Sequence, residues 1–220
     1  DAVMNAKGEE YGLLRRGGLA FFFPGRGTAV LNVTHIDAPL DPIDASRAMF
    51  EGREQADRAI ALLKREFPKA FGEARVRAYG FPGRRQTRWI VGAHQLTVDE
   101  IRTGKSFPDA VARTAWPVEL HDRADGYVWE MFDADHVHYV PLRSMIPPGA
   151  ANLVAAGRCV DGDAAALSSV RVMGPCCAMG AAAAHALDLA SRAGPDGSVH
   201  DIDLAELRTR LARNLGGDNP

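Results

Sequence analysis

A chain of 220 residues with 46% hydrophobic content can bury a real core, as one large domain or a main domain with a smaller companion, which excludes a wholly disordered polypeptide. Its 26 basic and 28 acidic residues leave a formal charge of -2, which argues against a nucleic-acid partner and for a small polar ligand or an organic cofactor. Cys159, Cys176 and Cys177 form neither a disulfide framework nor the paired spacing of a structural zinc site or iron–sulfur cluster.

No apolar run approaches the roughly 20 residues that span a bilayer, and the start carries no signal-peptide pattern, so a cytoplasmic location without a membrane span is expected. With Asp1 in place of an initiator Met, a processed product, a subunit or a portion of something longer is the expectation.

In chain order, residues 1–16 read as a polar N-terminal arm with a short edge at Tyr11 to Leu14. Gly17 to Phe23 predicts a strand, Pro24 to Gly27 a turn, and Thr28 to His35 the antiparallel return. Gly25-x-Gly27 is not a dinucleotide fingerprint, because no third glycine follows and the next element is a strand. From about Asp44, read as N-cap, to Glu66 the positions Ala45, Met49, Gly52, Ala56, Ala59, Leu63 and Phe67 predict a helix with one buried stripe, ended by Pro68.

Arg75 to Phe81 predicts a strand leading into the most basic local stretch, Gly83 to Arg88. Thr97 and Glu100 form a capping box for a short helix, and a second short helix is predicted over Phe107 to Arg113. Trp116 to His121 alternates as a strand, with Pro117, Glu119 and His121 on one face; Gly126 to Met131 and His136 to Leu142 are two further strands. His136 and His138 share a face, but nothing in the spacing supplies a further ligand, so no metal site is assigned.

After the Pro147-Pro148-Gly149 turn, Leu153 to Ala156 predicts a buried strand, broken at Gly157. A loop of small and acidic residues leads to an Ala-rich helix from about Pro175. A strand end, a small-residue loop and a helix N-terminus together suit an anionic ligand. Cys176 and Cys177 at that helix start read as small packing residues or as thiols favoured by the helix end. A last helix runs from Leu204 to Asn214 with Asp203 as N-cap and Gly216 as its end.

Four blocks together resemble a known family: VTHIDAPLDPIDASRAMFEGREQADRAIALLKREFP, GRRQTRWIVGAHQLTVDEI, FPDAVARTAWPVELHD, and the run from His138 to Ala190. They resemble, in unbroken order over about Leu19 to Ala190, the C-terminal half of FAD-dependent oxidoreductases related to the succinate dehydrogenase and fumarate reductase flavoprotein fold. The resemblance implies an α/β fold, with a β-rich substrate-facing domain plus the final strand and helix of a Rossmann-like FAD-binding domain. The segments are then an N-terminal arm (1–16), a substrate-facing mixed α/β domain (17–148), the C-terminal part of an FAD-binding domain (149–192), and a C-terminal helix and tail (193–220).

Carried over residue by residue, Ala156, Gly157 and Arg158 match the A-G-R ending the family's last FAD-domain strand. Ser169, Arg171, Val172 and Met173 match its S-x-R-V-M block, and Cys177 and Gly180 match the helix facing the flavin. Gly83, Arg85, Thr87, Arg88 and Ile90 match a G-x-R-x-S-R-R-I motif, with Thr87 in place of serine and Trp89 in place of an arginine.

The resemblance thus implies FAD as cofactor, Arg85 and Arg88 as substrate anchors, His121 as proton donor or acceptor, and dehydrogenation of a small polar or anionic molecule by hydride transfer to flavin N5. Since no GxGxxG fingerprint is present, a second polypeptide supplying the N-terminal FAD-binding half is expected, in a heteromer or a higher oligomer. Two other readings stay open: a non-enzymatic binding module using the Arg84 to Arg88 patch, and a metal enzyme using His121, His136 and His138.

Overall fold

The computed structural model of the chain describes residues 1–85, 87–123 and 126–216. It divides into two units, Asp1–Arg84 with Asp122–Tyr127, and Arg85–His121 with Val128–Pro220.

In the first unit, helix α1 (Ala2–Lys7) runs into a tight 3-10 turn over Gly8–Tyr11, ended by Gly12 at φ 63°, a left-handed conformation that favours glycine. The stretch expected to be a loose arm with an edge at Tyr11 is therefore ordered helix and turn. The reason is burial: Met4 and Leu13 leave water to pack against Ala59 and Leu62 of the unit's long helix. Strands β1 (Leu19–Phe23) and β2 (Thr28–Asn32) pair antiparallel with Phe21 opposite Val30, around a turn closed by Gly27 at φ 58°.

The long helix α2 (Pro42–Glu66) starts three residues before the expected cap, at Asp41. The Asp41 carboxylate accepts from the backbone N–H of Ile43 and Asp44, while Pro42 fills a position that has no N–H to satisfy. Ala48, Gln55, Ala59 and Leu62 are the buried positions, so the stripe is rotated by about one residue from the expected one and shares Ala59 with it. Gln55 explains the rotation, since its side chain accepts from the His35 N–H and donates to Glu51, which lets a polar residue sit inside. α3 (Pro68–Phe71) follows. The strand expected at Arg75 to Phe81 is absent, and Tyr79 is instead tied to α2 by its hydroxyl, which donates to Asp57 (2.6 Å).

The second unit opens with α4 (Val98–Arg102), whose Thr97–Glu100 capping box is formed as expected. In chain order follow β3 (Ala110–Thr114), β4 (Val118–Arg123) and β5 (Gly126–Glu130), of which Asp122–Tyr127 is counted with the first unit, and β6 (His138–Pro141). β3 pairs antiparallel with β6, and β4 and β5 form another two-stranded sheet. The short helix expected over Phe107 to Arg113 is overturned, because Val111 and Ala112 reach full burial by pairing with β6, and that long-range gain overrides a weak local preference.

The helices α5 (Ala164–Val170), α6 (Met173–Arg192), α7 (Leu204–Arg210) and α8 (Ala212–Leu215) complete the unit. α6 packs on β3 and α7, and Ala182 and Ala186 are fully buried there, so backbones approach closely. Around them Ile101, Val140, Met145, Leu167, Met179 and Leu207 form one core.

The strand expected at Leu153 to Ala156 is irregular chain; Ala155 donates to Met145 O (2.7 Å), and Leu153 is exposed. Among the described residues the one parallel pairing is an isolated bridge, Leu96 with Gly162. The fold is mixed α/β with three two-stranded sheets and no closed Rossmann-like sheet among the described residues. No single described helix is long and apolar enough to cross a membrane.

Candidate active site

Alternation along β4 puts Glu119 and His121 on one side of the strand, and the fold turns this into a contact. His121 Nε2 lies 2.8 Å from Glu119 Oε1, with the imidazole 4% exposed. The other carboxylate oxygen of Glu119 accepts from the Trp116 indole N–H (3.1 Å), and Trp116 meets Trp129 edge-on at 5.8 Å. The end of α5 secures the backbone beneath this pair. Ser169 donates to the Trp116 carbonyl (2.6 Å) and Arg171 Nη2 donates to the Glu119 carbonyl (3.1 Å).

Burial alone would push the Glu119 carboxyl up, but hydrogen bonds from His121 and Trp116 and the Arg171 charge hold it below its ordinary value, as a carboxylate. Burial pushes His121 below the ordinary histidine value, Glu119 opposes that, and the charges of Arg85 and Arg171 add to it. A carboxylate only accepts, so a neutral His121 directs its Nε2–H to Glu119 and carries its lone pair on Nδ1. Burial, then the neighbouring Arg85 charge, also lowers the Arg171 pKa. Two guanidiniums sharing a half-buried region favour an anion between or beside them. Arg171 Nε is buried without a hydrogen-bond partner among the described residues.

The structure thus gathers His121, Arg85, Ser169 and Arg171, and adds Glu119 and Trp116, which the sequence reading did not single out. Further along the same loop the Arg88 carbonyl accepts from Arg158 Nη1 (3.4 Å), and Ile90 donates to Cys159 O (2.9 Å), which ties the basic stretch to the Gly157–Cys159 segment. Gly157 has φ 83°, and a side chain there would also come within 3.5 Å of Cys176 Sγ. The Cys176 thiol donates to Arg171 O (3.0 Å), and burial raises its pKa. His138 adjoins Ser169 and His136 adjoins His138, and among the described residues no group of three or more His, Cys, Asp or Glu side chains is placed to hold a metal ion.

At the start of α6, Val172 is the N-cap and offers no side-chain hydrogen bond. Met173 is 84% exposed, Cys177 and Gly180 are exposed, and a Cβ added at Gly174 or Gly180 would meet nothing within 4 Å. Uncapped N–H groups at the positive end of a 20-residue helix, beside residues without bulk, fit the approach of a flat, electron-rich ring such as a flavin.

The profile of the FAD dependent oxidoreductase family matches residues 2–211, and the chain belongs to that family. No curated protein and no solved structure matches it.

The extent of the match corrects two expectations. The family likeness is not confined to a C-terminal half or to Leu19 to Ala190, since it takes in α1 and the turn after it and reaches Leu211. The second polypeptide inferred to supply an N-terminal FAD-binding half, and with it the split heteromer, loses its basis.

Proposed function

We propose that the chain dehydrogenates a small polar or anionic molecule, with FAD bound against the start of α6. Residues 149–192 would provide the cofactor face, 17–148 the substrate side, and 193–220 the closing helix and tail. Gly157, Arg158, Val172, Met173, Cys177 and Gly180 are the residues that would hold the cofactor, with Ser169 and Arg171 shaping the wall behind them. FAD, when bound, supplies the electron sink, accepting hydride at N5. His121 takes the proton, Glu119 orients its imidazole and stabilises the imidazolium that results, and Arg85 and Arg88 anchor the anionic end of the substrate.

The single observation carrying this reading is the 2.8 Å contact between Glu119 and a nearly buried His121. Titration of the full chain with FAD, followed by flavin fluorescence, tests the cofactor. Dye-linked oxidation of a panel of hydroxy and amino acids then tests the reaction. His121→Asn should lower kcat about 100-fold or more, and Arg85→Ala should raise KM. Because the His121 pKa is lowered, its basic form persists below the ordinary histidine range, and the acid limb of kcat/KM should fall there. A chain that takes up no FAD, or one whose turnover is indifferent to His121→Asn, overturns the proposal.

A further inference from the structure

Four polar groups run in a line to the start of β4, and donor and acceptor chemistry sets the direction of each proton in it. A carbonyl cannot donate, so at 2.6 Å the Ser169 hydroxyl gives its one proton to Trp116 O. The same oxygen then only accepts at its 2.8 Å contact with His138 Nε2, which therefore carries a hydrogen. His138 is wholly buried, and burial with His136 beside it pushes its pKa down to about 4, so the ring is neutral and Nδ1 bears the lone pair. His136 Nε2, 3.1 Å away, is then the donor. Phe132 stacks on His136 at 4.1 Å and meets His138 edge-on at 5.4 Å, which packs both rings in place, tilted 44° to one another. Any other order places two hydrogens or two lone pairs face to face.

We infer that His138 is a positioning residue for His121, acting through Ser169, whose hydroxyl it directs onto the Trp116 carbonyl, and through Trp116, whose indole holds the Glu119 carboxylate. The inference rests on the reading of His121 as the proton acceptor. Among the described residues, Glu119 raises the His121 pKa and the charges of Arg85 and Arg171 lower it. Loosening Glu119 therefore weakens a contribution that raises the His121 pKa while burial and the two guanidiniums still act to lower it, and the His121 titration moves down.

The test is histidine-ring NMR on the full chain labelled in histidine. The unmodified chain should show His138 as the neutral Nε2–H tautomer. Ser169→Ala, with its fold checked by near-UV circular dichroism, should move the His121 midpoint downward, as should His138→Leu. His138→Gln, whose amide can donate to Ser169 and accept from His136, should restore it. An Nδ1–H tautomer at His138, or a His121 midpoint unmoved in folded Ser169→Ala, overturns the inference. If that variant does not fold, the tautomer in the unmodified chain decides alone. A midpoint that moves as expected while His121→Asn turns over normally keeps the positioning and sinks the catalytic reading instead.

Discussion

The two long helices begin in opposite ways. α2 is closed by its own chain: Asp41 accepts two of the leading N–H groups and Pro42 removes another from the account. α6 begins at Val172, whose side chain accepts none; Pro175 has no N–H and Cys176 donates to the Val172 carbonyl, which leaves the Met173 and Gly174 N–H groups without a side-chain cap, and the first turns present Met173, Gly174 and Cys177 outward. Their bodies differ as well. α2 carries charge along its outer face, with Arg47 and Asp44 paired at i,i+3, whereas the first three turns of α6 are mostly Ala, Gly, Cys and Met and its ion pair, Asp188 with Arg192, lies in the last turn. A helix whose donors are satisfied internally serves packing, and one whose donors are left open keeps an electrostatic resource available to a ligand.

The largest effect that would test this contrast is at the anchors. Leu62 in α2 and Met179 in α6 are both fully buried. Each substitution to alanine should cost about 2–5 kcal/mol, read from urea unfolding. If Met179→Ala were mild, the packing assigned to α6 would be wrong.

Acid gives the next effect and should fall on the second unit. His138 titrates near 4 when folded against 6.5 as its reference, so the unfolded chain takes up the proton first. Stability is full above about pH 6.5 and declines as pH falls toward 4, by about 3 kcal/mol in total. Trp89, Trp116 and Trp129 all lie in that unit, so tryptophan fluorescence in denaturant at stepped pH follows it. His138→Gln should flatten the decline.

The smallest effects address the helix starts themselves. Asp41→Ala should lower stability by about 1 kcal/mol, and Val172→Asp, which supplies the missing acceptor, should raise it by a similar amount in calorimetry. The same Val172→Asp change should weaken FAD binding by placing an anion at the open end. A variant that gains stability and binds FAD unchanged would break the contrast.

What the sequence made legible follows from how local each signal is. The Thr97–Glu100 box and the Asp203 cap involve neighbours along the chain, and both are formed. Where a helix was expected over Phe107 to Arg113, Ala110 to Thr114 is strand, because its partner, His138 to Pro141, is distant in sequence and composition says nothing of such pairing. Leu153 to Ala156 is apolar enough for a strand, yet no neighbour takes up its hydrogen bonds beyond the one to Met145. α5 was hidden in a run of Ala and Ser that reads as loop, although Asp163 caps it by accepting from Ala166. For the candidate site, the alternation in Trp116 to His121 already placed Glu119 beside His121. That Trp116 folds back to hold Glu119, and that Ser169 holds Trp116 from 53 residues away, are facts of tertiary structure alone.

The adjacent thiols at the start of α6 make that helix end its own reporter. Cys176 is half-buried, its Sγ–H engaged with Arg171 O and its ionisation suppressed by burial, while Cys177 faces outward one residue later. Alkylation depends on the thiolate and on access, so a maleimide at neutral pH should mark Cys177 well ahead of its neighbour. A ligand lying across the uncapped turn would shield it. The labelling rate of one sulfur atom then measures occupancy of the helix end directly, with no substrate in hand.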